Sequence, residues 1–521
     1  MELFIASHFE EPDQSRQKHI PLRLENLIKI KGYELLRQSA GNMSSWRGRK
    51  IFPAIAAALS LTATGCTTAN LDAAMPATAS TVSAKTISEP RAAAEQRSTR
   101  PGASGEGLTL EKAVVRAVDW HPTISEAASR TNQAGDEIDV ARAGYFPQVR
   151  GGVSSVHDDA SRRGNWNPQL SVTGSQMLYD FGKVSSSVAA ARAAHDASRS
   201  SLLITVDDVI LETAAAMVEV YRNRELAAVA QDQVRGIADI TDLVHQRTDR
   251  GASTRSDAVQ ANARLQAAQS TELQIRADQE RWESELVSLI GADSLPGLAP
   301  RLPASLATAC EKASLSIDTV PAAQRALAEQ REAQAQLRSN RARALPTLAV
   351  EVGAGYDILD NGSDELLLGE DDSRTEIRGG LSLSSSIFEG GASAARNRAA
   401  ANALQAANAG LDNARFEATR KLREARQQTL SLSRLLASLR TREPTMRETR
   451  DMYRKQYLEL GTRSLLDLLN AEQELHAARF DVARTTGDIQ RLGLDCQYSA
   501  GQLRTAFGLQ GASLRGVTFQ P

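Results

Sequence analysis

The sequence predicts a mainly α-helical chain with a small β part, in which a strand hairpin followed by a long helical hairpin is made twice. Three observations lead there. The segment LYDFGKVSSSVAAARAAHDA (Leu178 to Ala197) ends a strand pattern and opens an alanine-rich helix, and IFEGGASAARNRAAANALQA (Ile387 to Ala406) does the same about 200 residues later. Each junction is followed by a very long stretch with helical periodicity. Each is preceded by short runs in which apolar and polar residues alternate, as half-buried strands require.

Placed in register, Leu178 falls on Ile387, Tyr179 on Phe388 and Gly182 on Gly391. With one residue of drift Gly251 meets Gly461, Asp257 meets Asp467 and Leu265 meets Leu475. Upstream, YFPQV (Tyr145 to Val149) is similar to ALPTL (Ala344 to Leu348). The two copies are expected at 108–316 and 317–506, with 507–521 a tail.

Composition excludes several classes of function. The 521 residues carry a formal charge of −2, so no broad basic field points to nucleic acid. Aromatics make up 4%, which suits close-packed long helices better than a thick globular core. The three cysteines, Cys66, Cys310 and Cys496, have no metal-ligand spacing, and the seven histidines are scattered. No phosphate loop, nucleophile elbow or metalloprotease motif occurs, so neither an enzyme nor a cofactor is expected.

Taken in order, residues 1–42 are unlike any leader, and translation is expected to begin at Met43. Arg47, Arg49 and Lys50 precede the apolar run IFPAIAAALSLTATG, so 43–65 read as a secretory signal, too short to span a membrane as a helix. Leu61-Thr62-Ala63-Thr64-Gly65-Cys66 is similar to a bacterial lipoprotein cleavage box, with Ala63 where leucine is usual, and Cys66 is a candidate for lipidation. An ordinary signal with an incidental Cys66 is the alternative. Residues 66–107, rich in Thr, Ala, Ser and Pro, read as a disordered linker.

A first helix is expected over Leu110–Ala143. In the strands, Leu170, Val172 and Leu178 alternate with Ser171 and Thr173. In the second copy Leu348, Val350, Val352, Ala354, Tyr356 and Ile358 share one face, and Ile377, Leu381, Leu383 and Ile387 share another. An apolar and a polar face over about ten residues suit a transmembrane strand. Four strands cannot close a barrel and open edges are not tolerated in lipid, so several chains would have to close one together.

The outbound helix, Lys183 to Arg250, lacks proline and holds one glycine, Gly236. Its length of about 68 residues corresponds to roughly 100 Å. Leu202, Val206, Val209, Thr213, Ala216 and Val220 form one apolar stripe, and Leu203, Ile210, Ala214, Met217 and Tyr221 a second. Two stripes suit a helix flanked on both sides, although a core helix of a soluble bundle would show the same periodicity. Past the turn at Gly251, a helix over Ser253–Ile290 returns, is interrupted by GADSLPGLAPRLP and resumes over Ala322–Ala344. The second copy runs out over Ala392–Leu460, with a kink expected at Pro444, turns at Gly461 and returns from Ser464.

LTLEKAVVRAVDWHPTISEA, YFPQV, MLYDFG and above all YLELGTRSLLDLLNAEQELHAAR resemble the TolC family of outer-membrane channel-tunnels, over about residues 108–506. The resemblance implies a homotrimer with a twelve-stranded barrel in outer-membrane lipid, continued by a helical tunnel through the periplasm. It implies a passive exit duct, not an enzyme, which docks with a periplasmic adaptor and an inner-membrane ABC or RND-type transporter. The cargo would be secreted proteins (type I secretion) or small molecules. GTRSLLDLLNAEQEL is closer to the secretion branch, whereas a lipidated Cys66 would point to the efflux branch. A periplasmic adaptor or a structural coiled-coil protein is the alternative, disfavoured because strands occur in each half.

The resemblance also implies a periplasmic gate. Its bonds between helices would involve Arg463 after the second glycine turn and Asp257, with Ser256 alongside, after the first. Asp467 would line the constriction. Asn470 stands where the family pattern has a second aspartate, and Tyr457 is one position from the family's tyrosine. Thr254-Arg-Ser-Asp257 and Ser464-Leu-Leu-Asp467 also read as capping boxes opening the return helices, which would explain the aspartates without a gate. Gly251 and Gly461 serve the tip turns. The channel topology would bring Cys310 and Cys496 near one another in a disulfide-permissive compartment. Two free buried thiols are the favoured reading, because spacing does not show proximity.

Overall fold

The computed structural model describes residues 107–158, 165–358 and 375–509, together with 511, 513–514 and 517–518. The expected extension, signal, Cys66 and nearly all of the linker lie outside the described residues, as does part of the tail. Among the described residues no helix is long and apolar enough to cross a membrane.

The main β part is an antiparallel sheet of four strands, β1 (Gln148–Asp158), β2 (Asn165–Tyr179), β3 (Thr347–Asp357) and β4 (Thr375–Ser384), in that spatial order, and a separate short pair joins Ser513–Leu514 to Val517–Thr518. Each copy supplies one hairpin, and β2 joins β3 across the duplication. Registers such as Val153 with Leu170 and Ala354 with Ile377 put the alternating apolar residues on one face. Val149, Val153, Val172, Val352, Ile377 and Leu381 are all exposed there. Arg150, Thr173, Ser171, Glu351, Arg378 and Ser382 line the hollow of the opposite face. Leu178 occupies a register break between Met177 and Tyr179, and β4 ends before Ile387, so neither belongs to the regular alternation.

Helices leave the sheet at both junctions. In the first, the buried Asp180 caps α3 (Lys183–Asp249) by accepting from the amides of Gly182 (2.9 Å) and Val184 (2.6 Å). In the second, Glu389 instead pairs with Arg396 at 2.6 Å. Phe181 holds a left-handed φ of 54° where the second copy has Gly390 at 61°.

The first helix is two helices, α1 (Leu110–Trp120) and α2 (Pro122–Arg142), in place of the single run expected. Pro122 drives His121 into extended backbone (ψ 128°), which ends α1. The return helix α4 (Arg255–Leu289) is followed by the insert, then by α5 (Pro321–Arg343). The second outbound helix, α6 (Ala392–Lys455), runs unbroken through Pro444, and α7 (Leu465–Ser499) returns. Packing follows two orders: α4 on α3, α3 on α7 and α7 on α6 toward the tip, and α2 on α3, α3 on α5 and α5 on α6 toward the sheet.

The insert between α4 and α5 is docked at the middle of the helices. Leu108 bridges to Leu298 there. The Leu306 carbonyl lies so close to Gly493 that a Cβ at that glycine would stand 2.1 Å away. Cys310 of the insert and Cys496 of α7 form a disulfide, with Cα atoms 5.2 Å apart. This corrects the expectation of two free thiols. The insert folds back across α7 and brings together residues 186 positions apart.

Candidate gate at the helical tip

Both aspartates cap return helices. At the first tip the Thr254 amide donates to Asp257 Oδ2 (3.0 Å) and the Asp257 amide donates to Thr254 Oγ1 (3.1 Å). At the second, Ser464 and Asp467 repeat the exchange at 3.4 and 3.2 Å. These are the two capping boxes read from the sequence. The Thr254 amide, aided by the Thr254 and Ser253 hydroxyls, holds the Asp257 carboxyl below its ordinary range. Gly251 and Gly461 close the turns with φ of 73° and 63°, a region other residues rarely enter.

Arg463 is contained within the second tip. Its Nε donates to Gln456 Oε1 at 3.1 Å, its guanidinium lies 4.4 Å from the centroid of Tyr453, and a terminal nitrogen is 3.9 Å from Asp467. It does not meet Asp257 within the chain, whose bonds go to Thr254 and Ser253. Ser256 is exposed beside it. Asn470 accepts from Arg264 of α4 at 3.5 Å, and the same arginine donates to Gln473 at 2.9 Å.

The two tips are joined by Tyr457, on a π-helical turn over Gln456–Leu460. Its hydroxyl is 3.4 Å from Ser253 Oγ, its carbonyl accepts from Arg247 at 3.3 Å, and the Arg247 guanidinium lies 4.9 Å from its ring centroid. Beneath them Ile240, Val244, Ala261, Leu465, Leu468 and Leu469 form a small apolar core between α3, α4 and α7.

One turn above Asp467 a buried ionic cluster ties three helices. Glu472 of α7 accepts from Arg450 of α6 (3.1 Å) and from His476 Nε2 (3.0 Å). Its carboxylate lies against α3 where Gly236 leaves room, since a Cβ there would stand 2.2 Å from Glu472 Oε1. Burial raises the Glu472 pKa, but the bonds from His476 and Arg450 outweigh it and leave the group below its ordinary value. Sequence reasoning missed Arg247, Arg264 and this cluster. The single glycine in α3 was its one visible sign.

A sheet with an apolar and a polar face, continued by paired helical hairpins whose outbound arms are about 100 Å long, defines the class of outer-membrane channel-tunnels. The chain belongs to the outer membrane efflux protein family, whose model matches residues 113–292 and 314–492, either side of the docked insert. The outer membrane efflux protein BepC of Brucella suis is 24% identical over 390 residues, covering 73% of this chain and 82% of BepC. The alkaline protease secretion protein AprF of Pseudomonas aeruginosa is 28% identical over 300 residues, 54% of this chain and 60% of AprF. Among solved structures, the outer membrane protein VceC of Vibrio cholerae superposes with a TM-score of 0.65 at 17% identity, over 75% of this chain and 96% of VceC. A membrane protein of P. aeruginosa gives 0.66 at 18% identity, over 77% and 96%. The protein is an outer-membrane export component of a family of channel and transport proteins, which sets aside the adaptor and scaffold alternatives.

Proposed function

We propose that three copies of the four-stranded sheet close a twelve-stranded barrel, continued by a helical tunnel that serves as a passive exit duct. The carrying observation is the sheet itself. Its apolar outer face suits lipid, its polar face suits a lumen, and the outer edges of β1 and β4 are unpaired among the described residues. Exposed Tyr145, Phe146, Tyr179, Phe181 and Phe388 all lie at its helix-side end, where an aromatic girdle would meet the membrane surface.

In this reading residues 43–65 direct export, the two copies span 108–316 and 317–506, and Cys66 is a candidate for lipidation that would favour the efflux reading. A periplasmic adaptor joins the tip to an inner-membrane ABC or RND-type transporter. The duct has no catalytic chemistry of its own. Protein cargo, by type I secretion, is supported by GTRSLLDLLNAEQEL and by the similarity to a protease secretion protein. Small-molecule efflux is the second reading, supported by the similarity to BepC.

Arg463, Asp257, Ser256, Asp467 and Asn470 form the gate, with Asp467 from each copy giving a ring of carboxylates that favours cations. Charge-assisted contacts of Arg463 hold the second tip closed, and their loss favours the open state. The test is single-channel conductance of the purified protein in planar bilayers with its oligomeric mass. Trimers of small conductance that rises severalfold in Arg463→Ala are expected. Trimers indifferent to the variant would reduce the tip residues to helix caps, and a protein without pores would overturn the duct.

A further inference from the structure

The helices of one chain form a row whose two outer edges pack against no further long helix among the described residues. One edge is α6 along its whole length. The other is α2 toward the sheet and α4 toward the tip. The edges differ in charge. Helix α6 holds fourteen Lys or Arg against six Asp or Glu, whereas α2 has two against four and α4 has four against six. Many α6 cations are unused within the chain. Arg398, Arg423, Arg434, Arg440, Arg442 and Arg454 are exposed and make no ion pair among the described residues.

Each edge also presents a seam of the kind that packs helix on helix. On α6, Phe416, Arg423, Leu430 and Arg434 stand at intervals of seven, seven and four, opposite buried Leu411, Ala418 and Leu422. On α4, exposed Val259, Gln266, Leu273 and Glu280 recur every seventh residue, opposite buried Ala261, Ala268 and Ile275. On α2, exposed Glu126, Gln133 and Val140 do the same, with Glu137 one turn before Val140.

We infer that these edges are the two sides of one head-to-tail interface between copies of this chain, in which Arg434 pairs with Glu280 of the neighbour and Arg398 with Glu137. This inference rests on the proposed trimer and specifies how it closes. The heights agree. Arg398 and Glu137 each lie about 8 Å inside the sheet-side ends of α6 and α2. Arg434 and Glu280 lie roughly 32 and 38 Å from the tip-side ends of α6 and α4, a difference a guanidinium side chain spans. A row with unlike edges meets itself heterologously, so rotation about one axis closes a ring. Charge complementarity sets the register and disfavours like-edge pairing.

The test places cysteine pairs in the full chain in outer membranes, R434C with E280C and R398C with E137C. Wild-type protein and single variants provide the background, and its one described disulfide is internal. The expected result is dimer and trimer bands on non-reducing gels for each pair and none above background for single variants. A charge reversal, R434E, is expected to lower the temperature at which trimers dissociate at low salt, with R434E/E280R recovering most of the loss and added salt flattening the difference. Wild-type trimers in which neither pair cross-links, or in which the double reversal recovers nothing, would overturn this seam while leaving the trimer intact. A wild-type mass other than a trimer's would overturn the trimer reading itself.

Discussion

Removing the Cys310–Cys496 disulfide should lower the stability of the folded chain by about 5 kcal/mol on the chain-entropy account of cross-links. The magnitude follows from the 186-residue separation, among the longer loops one bridge can close, because the constraint acts on the unfolded ensemble and grows with loop length. The loop encloses α5, β3, β4, α6 and most of α7. The variant to use is Cys310→Ala/Cys496→Ala, since both side chains are buried and an orphan thiol would add a second effect. The folded insert should stay docked. Arg426 still donates to the Cys310 carbonyl (3.2 Å) and to that of Ala313, and the Leu306 carbonyl still rests on Gly493. What the variant loses locally is the Thr429 hydroxyl contact to sulfur at 3.3 Å. Guanidinium unfolding in detergent checks the figure, at one protein concentration because assembly shifts the midpoint by mass action. Wild type without reductant should unfold at clearly higher denaturant than the variant, and reduced wild type should match the variant. Coincident curves for oxidised wild type and variant would refute the reasoning and show that the bridge does not constrain the unfolding chain.

Two further outcomes follow from buried charges. Gly236→Ala sets a Cβ against Glu472 Oε1 and must push the carboxylate from Arg450 and His476, costing about 3 kcal/mol by thermal unfolding; Glu472→Ala in the same chain should cost much less than the two single losses added, because both act on one contact. Asp207 of α3 is buried, and burial raises its carboxyl to about 7 despite Arg504 at 3.3 Å, with Asp208 adding to the rise. The native chain therefore keeps a proton there that the unfolded chain releases near 4, so this contribution is complete below about 4 and is lost as pH rises through 7. Hydrogen-exchange protection over the one-turn helix Leu503–Ala506, which carries Arg504, taken relative to the intrinsic base-catalysed rate at each pH, should be lower at pH 8 than at pH 5, and Asp207→Asn should remove the difference.

Much of this architecture is legible in local pattern. The two strand-to-helix junctions, the alternation in β3 and the long apolar stripes of α3 are local signals that tertiary packing reinforces. The capping boxes were equally readable, because four consecutive residues contain the whole interaction. The break at His121 was missed although its cause, Pro122, is local. The kink expected at Pro444 did not break α6.

At the candidate gate the division is sharper. Gly251, Gly461, Asp257 and Asp467 could be placed from turn and capping chemistry alone. The contacts of Tyr457 with Arg247 and Ser253, of Arg264 with Asn470, and of Glu472 with Arg450 join residues 22 to 210 positions apart. No periodicity encodes such pairs, because side chains on different helices meet only after the helices have been placed.

By itself the sequence determined the duplication, the order of strands and helices, the two-faced strands and the glycine tips, since each depends on neighbours within a few turns of chain. Tertiary structure alone decided that Cys310 bonds Cys496, that Gly236 makes room for a buried carboxylate, and that a basic edge and an acidic edge end up on opposite sides of one row of helices. These are properties of distance in space, and the chain acquires them only when helices of about 100 Å lie side by side.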